Sequence, residues 1–231
     1  MDYVLEVANL SKNYGGINAL NNVSFGIERG EIVGLLGPNG SGKTTLLKII
    51  NGLVNNYSGE VRILGQNLSV ESKGRVAFLP DSNFVPESWS VIRLIDFFSD
   101  FFDDFNKARA MALLGELDIN LNARFKQLSK GTKEKLQLIL ILSRDADIYM
   151  FDEPIAGVDP KAREVIFRLI LDNYNKDASI IISTHLVRDV ESILSGAIFL
   201  RYGEVVACDS IAGLKAKCGE KNLEDIFKEL V

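Results

Sequence analysis

The sequence predicts an α/β fold: a parallel-sheet core interrupted by an inserted α-helical segment. Three observations carry that prediction. Short apolar strands alternate with helical stretches in both halves of the chain, giving the order βαβ, helical insert, βαβ. A glycine-rich loop from Gly37 to Gly42 separates an apolar strand from a helix. Between about residues 81 and 128 the strand pattern gives way to phenylalanines at helical spacing.

In chain order, Val4 to Val7, Val23 to Ile27 and Ile32 to Leu36 read as strands, with Gly30 and Glu31 as the turn between the last two. Leu46 to Ile50 opens a helix. Glu60 to Leu64 and Arg75 to Leu79 are further strands, the second cut off by Pro80. Leu94, Phe97, Phe98, Phe101, Phe102 and Phe105 then follow the i, i+3, i+4, i+7 rule, with Asp96, Asp100, Asp103 and Asp104 on or beside the other face. Six of the chain's 13 phenylalanines lie between Phe84 and Phe105, which makes this a separately packed helical unit. At that spacing the stripe reads as core; a docking face is the alternative, for which Trp89 in its polar surroundings is the better candidate. Strands return at Ile148 to Phe151 and Ser179 to Ser183, around a helix near Arg163 to Tyr174. Tyr202-Gly203 sits between two strands as a hairpin turn, and Leu223, Ile226, Phe227 and Leu230 form a terminal amphipathic helix.

Composition narrows the function. The chain has 231 residues, enough for one large domain, and its 47% apolar and 25% charged content excludes wholesale disorder. A net charge of -5 argues against a nucleic-acid partner, which needs a basic face. The densest apolar run, Leu136 to Leu142, is interrupted by Gln137, so no segment reads as membrane-spanning. With no signal-like N-terminus and only Cys208 and Cys218, the sequence reads as a cytoplasmic protein.

The chemistry concentrates at strand ends. Gly37-Pro38-Asn39-Gly40-Ser41-Gly42-Lys43-Thr44 fits G-x-x-x-x-G-K-[ST] between a strand and a helix. Its glycines let backbone N–H groups turn inward as an anion nest, and the helix N-terminus adds partial positive charge. Lys43 supplies a full charge to the β- and γ-phosphates, the Thr44 hydroxyl can ligate Mg²⁺, and Thr45 meets the α-phosphate side. The strand Ile148 to Phe151 ends in Asp152-Glu153-Pro154, where Asp152 is a second Mg²⁺-side group and Glu153 can polarise an attacking water. The alternative there is a solvated acidic turn. His185, the one histidine, follows a parallel strand at the end where such sheets bind ligand.

These residues resemble the nucleotide-binding subunit of an ATP-binding cassette (ABC) transporter along essentially the whole chain. The family's diagnostic segment matches Leu128-Ser129-Lys130-Gly131-Thr132, which departs from Leu-Ser-Gly-Gly-Gln at its third and fifth positions. The resemblance implies a P-loop NTPase parallel-sheet core, an antiparallel β subdomain and an inserted α-helical subdomain, the core at 1–80 and 131–231 and the helical part at about 81–130. It further implies that Ser129, Lys130 and Gly131 cover the γ-phosphate of ATP on the opposite subunit; Ser129 as a helix cap is compatible with that. Tyr14 resembles the aromatic residue that stacks on adenine, and Asp159 the loop between the two subunits' sites, though a surface tyrosine and a helix cap are the plain alternatives. Asp81 stands where the family has a glutamine near Mg²⁺, or else caps the turn after Pro80.

The implied protein is an ATPase that uses ATP and Mg²⁺ and dimerises as a homodimer or heterodimer. It would power transport through a separate membrane-spanning subunit at the inner face of the membrane. The chain end, Asn222 to Phe227, resembles the short exporter-type subgroup, which points to export. A soluble cassette ATPase acting on the ribosome or DNA, and a regulator that binds nucleotide without hydrolysing it, are the alternatives.

Overall fold

The computed structural model describes residues 3–219 and 221–230. The first third of the chain holds β1 (Tyr3–Tyr14), β2 (Ile17–Glu28), β3 (Ile32–Leu36), α1 (Lys43–Ile50), β4 (Ser58–Ile63), β5 (Gln66–Asn67), α2 (Val70–Gly74) and β6 (Val76–Leu79). The middle is helical, with α3 (Val91–Phe101), α4 (Lys107–Glu116) and α5 (Lys130–Leu142). The last part alternates again: β7 (Ile148–Asp152), α6 (Pro160–Asn173), β8 (Ser179–Thr184), α7 (Val187–Val190), β9 (Gly196–Arg201), β10 (Glu204–Ser210), α8 (Ile211–Lys217) and α9 (Leu223–Leu230).

Two sheets organise these elements. One is antiparallel in the order β2-β1-β4-β5; the other has six strands in the order β10-β9-β3-β8-β7-β6, with β9, β3, β8, β7 and β6 parallel and β10 antiparallel at the edge. The fold is therefore the α/β class the sequence predicts. The period-2 alternation of strand side chains divides the core in two. Ile148 and Met150 of β7 pack with α1 and the antiparallel sheet, whereas Tyr149 and Phe151 face the helices of the middle segment and α6. Both faces of the parallel sheet are covered, which is why its strands read as continuous apolar runs.

The hairpin at Tyr202-Gly203 is as predicted, with φ of 48° and 82° at its two turn residues. Two expectations need correction. The strand expected to reach Leu64 stops at Ile63: Leu64 and Gly65, with φ of 51° and 73°, form the turn into β5, so an apolar residue sits at a turn position. The phenylalanine stripe is not all core. Leu94 and Phe98 are buried, but Phe97 is 43% and Phe101 66% exposed, stacked with centroids 5.7 Å apart. Within α3 the buried face runs through Val91, Leu94, Ile95 and Phe98 and leaves Phe97 and Phe101 at its exposed edge; the helix ends at Phe101, Phe102 is extended, and Phe105 enters the core from a loop. Arg144 anchors that loop to the sheet, its guanidinium gripping both Asp104 carboxylate oxygens at 2.9 Å and donating to the Val76 carbonyl at 2.8 Å. Among the described residues no helix is long and apolar enough to cross a membrane.

Candidate phosphate-binding site at the strand ends

Four parallel strands in the order β3-β8-β7-β6 bring their carboxyl ends to one edge. Each supplies residues that the sequence singled out: Gly37 to Thr45 after β3, His185 after β8, Asp152 and Glu153 at the end of β7, and Asp81 after β6. This is where an open α/β sheet binds ligand.

The loop after β3 needs its glycines for space as well as conformation. A Cβ on Gly37 would lie 2.3 Å from the Leu200 carbonyl oxygen and 2.5 Å from Ser41 Oγ. Gly42, at φ 107°, would thrust one to 2.4 Å from the Ala19 carbonyl oxygen. Gly42 caps α1 without any side-chain hydrogen bond, and the first turn of α1 holds no acidic residue. Its N–H groups thus face the loop with no side chain to satisfy them, at the positive end of the helix dipole. Gly40 is also left-handed, at φ 80°. Ser41 Oγ is buried without a hydrogen-bond partner. Gly203 N–H donates to the Ser41 carbonyl at 3.0 Å, so the β9–β10 hairpin buttresses the loop from behind.

Lys43 is buried at 5% exposure and curls back over the loop. Its ammonium donates to the Gly37 carbonyl at 2.7 Å and the Pro38 carbonyl at 3.2 Å, and lies 3.4 Å from Glu153 Oε1. Glu153 itself adopts φ 49°, a left-handed conformation rare outside glycine, and its N–H donates to the Ser183 carbonyl at 3.0 Å. That bend turns its carboxylate toward β8, where His185 Nδ1 stands 3.1 Å from both oxygens and the Thr184 hydroxyl donates at 3.3 Å.

Asp152 is 1% exposed. The Ser183 hydroxyl, its register partner across β7 and β8, donates to Oδ1, while Oδ2 is buried with no hydrogen-bond partner. Burial pushes the Asp152 carboxyl above its ordinary range; the Ser183 and Thr44 hydroxyls pull it down, and the charges of Asp81 and Glu153 push it up. An orphaned carboxylate oxygen beside a threonine hydroxyl is a hard-oxygen donor set, and it fits Mg²⁺. Among the described residues no cluster of three or more His, Cys, Asp or Glu side chains could hold a metal by itself.

A cavity of about 760 Å³ opens between these strand ends and the middle helices, and Asn39, Asp81, Lys130, Asp152, Glu153 and His185 are among the residues that line it. Of the Gly37 to Thr45 loop Asn39 alone lines it; Lys43, Thr44 and Thr45 do not, and neither do Ser129, Gly131, Asp159 and Tyr14. Ser129 is the N-cap of α5, accepting from Thr132 N–H at 3.3 Å, and Lys130 Nζ reaches the Gly157 carbonyl at 3.4 Å. Asp159 Oδ1 accepts from Ala162 N–H at 3.1 Å in the first turn of α6, where Pro160 stands at the first helical position. Tyr14 ends β1, 46% exposed, with Lys12 Nζ 4.5 Å from its ring centroid. Two partners escaped the sequence reading. Ser183 is visible only through strand register. Gln137 carried a signal, as the one polar residue in an apolar run.

The ABC transporter family profile matches residues 20–156. The chain is 30% identical over 207 residues to an ABC transporter ATP-binding protein of Methanocaldococcus jannaschii, covering 87% of this chain and 76% of that one. It is 31% identical to the ABC transporter ATP-binding protein YtrB of Bacillus subtilis, over 85% of this chain and 68% of the relative. A Nod factor export ATP-binding protein of Burkholderia orbicola is 29% identical over 88% of this chain and 69% of its own length. Among solved structures, an ATP-binding subunit of an ABC transporter superposes with a TM-score of 0.88 at 27% identity, over 98% of this chain and 99% of that one.

Proposed function

The chain belongs to the ABC transporter family as an ATP-binding subunit, and from that premise we propose that two copies, or this chain and a related one, close around ATP. Hydrolysis then drives transport through a separate membrane-spanning subunit. The observation that carries the reading is the convergence of Lys43, Glu153 and His185, with 3.4 Å between the first two and 3.1 Å between the last two, at one sheet edge.

Lys43 and the amides of the Gly37 to Thr45 loop hold the phosphates. Thr44 and Asp152 would hold Mg²⁺, with Asp81 beside them, and the ion would supply positive charge to the phosphates. Glu153 swings away from Lys43 and orients the attacking water; His185 contacts the γ-phosphate. Tyr14 stacks on adenine. Ser129, Lys130 and Gly131 complete the opposite copy's site, and Asp159 lies between the two sites. The unit at about 81–130 carries the docking face for the membrane subunit, which holds this chain peripherally at the inner face of the membrane. Export is the direction we favour, since a relative 29% identical over 88% of this chain is named for exporting Nod factor. We expect no nucleic-acid partner, since a net charge of -5 opposes binding to a polyanion.

Reconstitution with the membrane subunit in liposomes tests the reading. Stimulated ATP hydrolysis that stops with Glu153→Gln supports it; hydrolysis indifferent to the membrane subunit and to that change contradicts it.

A further inference from the structure

The second half of α5 is the most deeply buried helical stretch in the middle of the chain: Leu136 and Leu138 to Leu142 are all at most 4% exposed. Gln137, in the same run, is 5% exposed. A primary amide in such surroundings costs free energy unless every polar atom is bonded. Here both ends are. Gln137 Oε1 accepts the Phe84 backbone N–H at 3.1 Å, and Nε2 donates to Asn83 Oδ1 at 3.0 Å. The assignment of the two amide ends is unambiguous, because a backbone N–H can only donate and therefore turns the oxygen toward itself.

The clamp joins two parts of the candidate site. The loop after β6 carries Asp81 only two residues before Asn83, and the charge of Asp81 bears on Asp152. Gln137 lies eight residues beyond Ser129 on one uninterrupted helix, about 12 Å along its axis. Asp81, Asn83 and Gln137 line the same cavity as Asp152 and Glu153. We propose that Gln137 is a positioning residue: its amide fastens the 81–84 loop to α5, so that a shift of the Ser129 end of the helix moves Asp81 relative to Asp152. The proposal rests on the reading of Lys43, Asp152 and Glu153 as the ATPase site.

Full-length Gln137→Met, Asn83→Ala and the double variant test it, with Lys43→Ala as a control on the site itself. Each single change should lower kcat for Mg-ATP hydrolysis roughly tenfold while leaving KM for ATP within about twofold, because it misplaces the loop without touching the phosphate contacts. The double variant should be no slower than the slower single, since both remove one clamp. Hydrogen exchange at the Phe84 amide should accelerate in Gln137→Met. Asn83 is exposed, so Asn83→Ala reports even if Gln137→Met does not fold. Wild-type kcat in Asn83→Ala, or losses that multiply in the double variant, would overturn the assignment. Wild-type turnover by Lys43→Ala would instead overturn the reading of the site.

Discussion

The carboxylate of Glu153 sits 3.4 Å from the ammonium of Lys43, the residue whose charge an incoming phosphate needs. With both side chains largely shielded from water, that ion pair competes directly with nucleotide. Glu153→Gln keeps the shape and removes the competing charge. ADP should therefore bind the variant roughly threefold to tenfold more tightly, whereas Lys43→Ala should weaken it by at least roughly tenfold, about 1.4 kcal/mol. Calorimetric titration of both variants checks the pair; equal affinity across all three proteins would show that no phosphate meets Lys43.

Asp152 should make the free protein sensitive to pH. Its carboxyl is held above the ordinary value chiefly by burial, so the folded chain binds that proton more readily than the unfolded chain. Stability from this group is then lost as pH rises from the ordinary carboxylate value through the raised one, and stays lost above it. Asp152→Asn escapes the penalty. Without nucleotide at neutral pH it should be more stable by about 1 kcal/mol, a rise in melting temperature of roughly 2–4 °C, and the gap should close on acidification. With Mg-ATP the order should reverse, because only the wild type gains the metal. Melting curves across pH, with and without Mg-ATP, decide it; a gap that is constant with pH contradicts the burial argument.

Asp81 adds a third negative charge beside Asp152 and Glu153, and bound Mg²⁺ would relieve that repulsion. Asp81→Asn should weaken the Mg²⁺ dependence of ATP hydrolysis while leaving metal-free nucleotide binding intact or slightly tighter. Superimposable magnesium titrations for the two proteins would leave Asp81 as a turn residue.

The fold class and the phosphate loop were legible in the sequence because both depend on local rules. Strand-loop-helix spacing and the Gly37 to Thr44 pattern are set within a dozen residues. What escaped depends on distant contacts. Two exceptions are local: Leu64 and Gly65 turn the chain straight from Ile63 to Gln66, and α3 points Leu94, Ile95 and Phe98 inward while leaving Phe97 and Phe101 at its exposed edge. Ser183 becomes a partner of Asp152 only through the register of β7 on β8. The Gln137 clamp spans more than fifty residues, so the sequence could offer the oddity of an amide in an apolar run but not its partners.

The central claim is that Glu153, poised against Lys43 and His185, orients the water that attacks ATP. Phosphate release by Glu153→Gln in Mg-ATP, followed alongside its size in gel filtration, tests it most directly. The account predicts that release falls at least roughly a hundredfold while the variant still binds ATP and accumulates as an ATP-bound dimer. Release at the wild-type rate would contradict it.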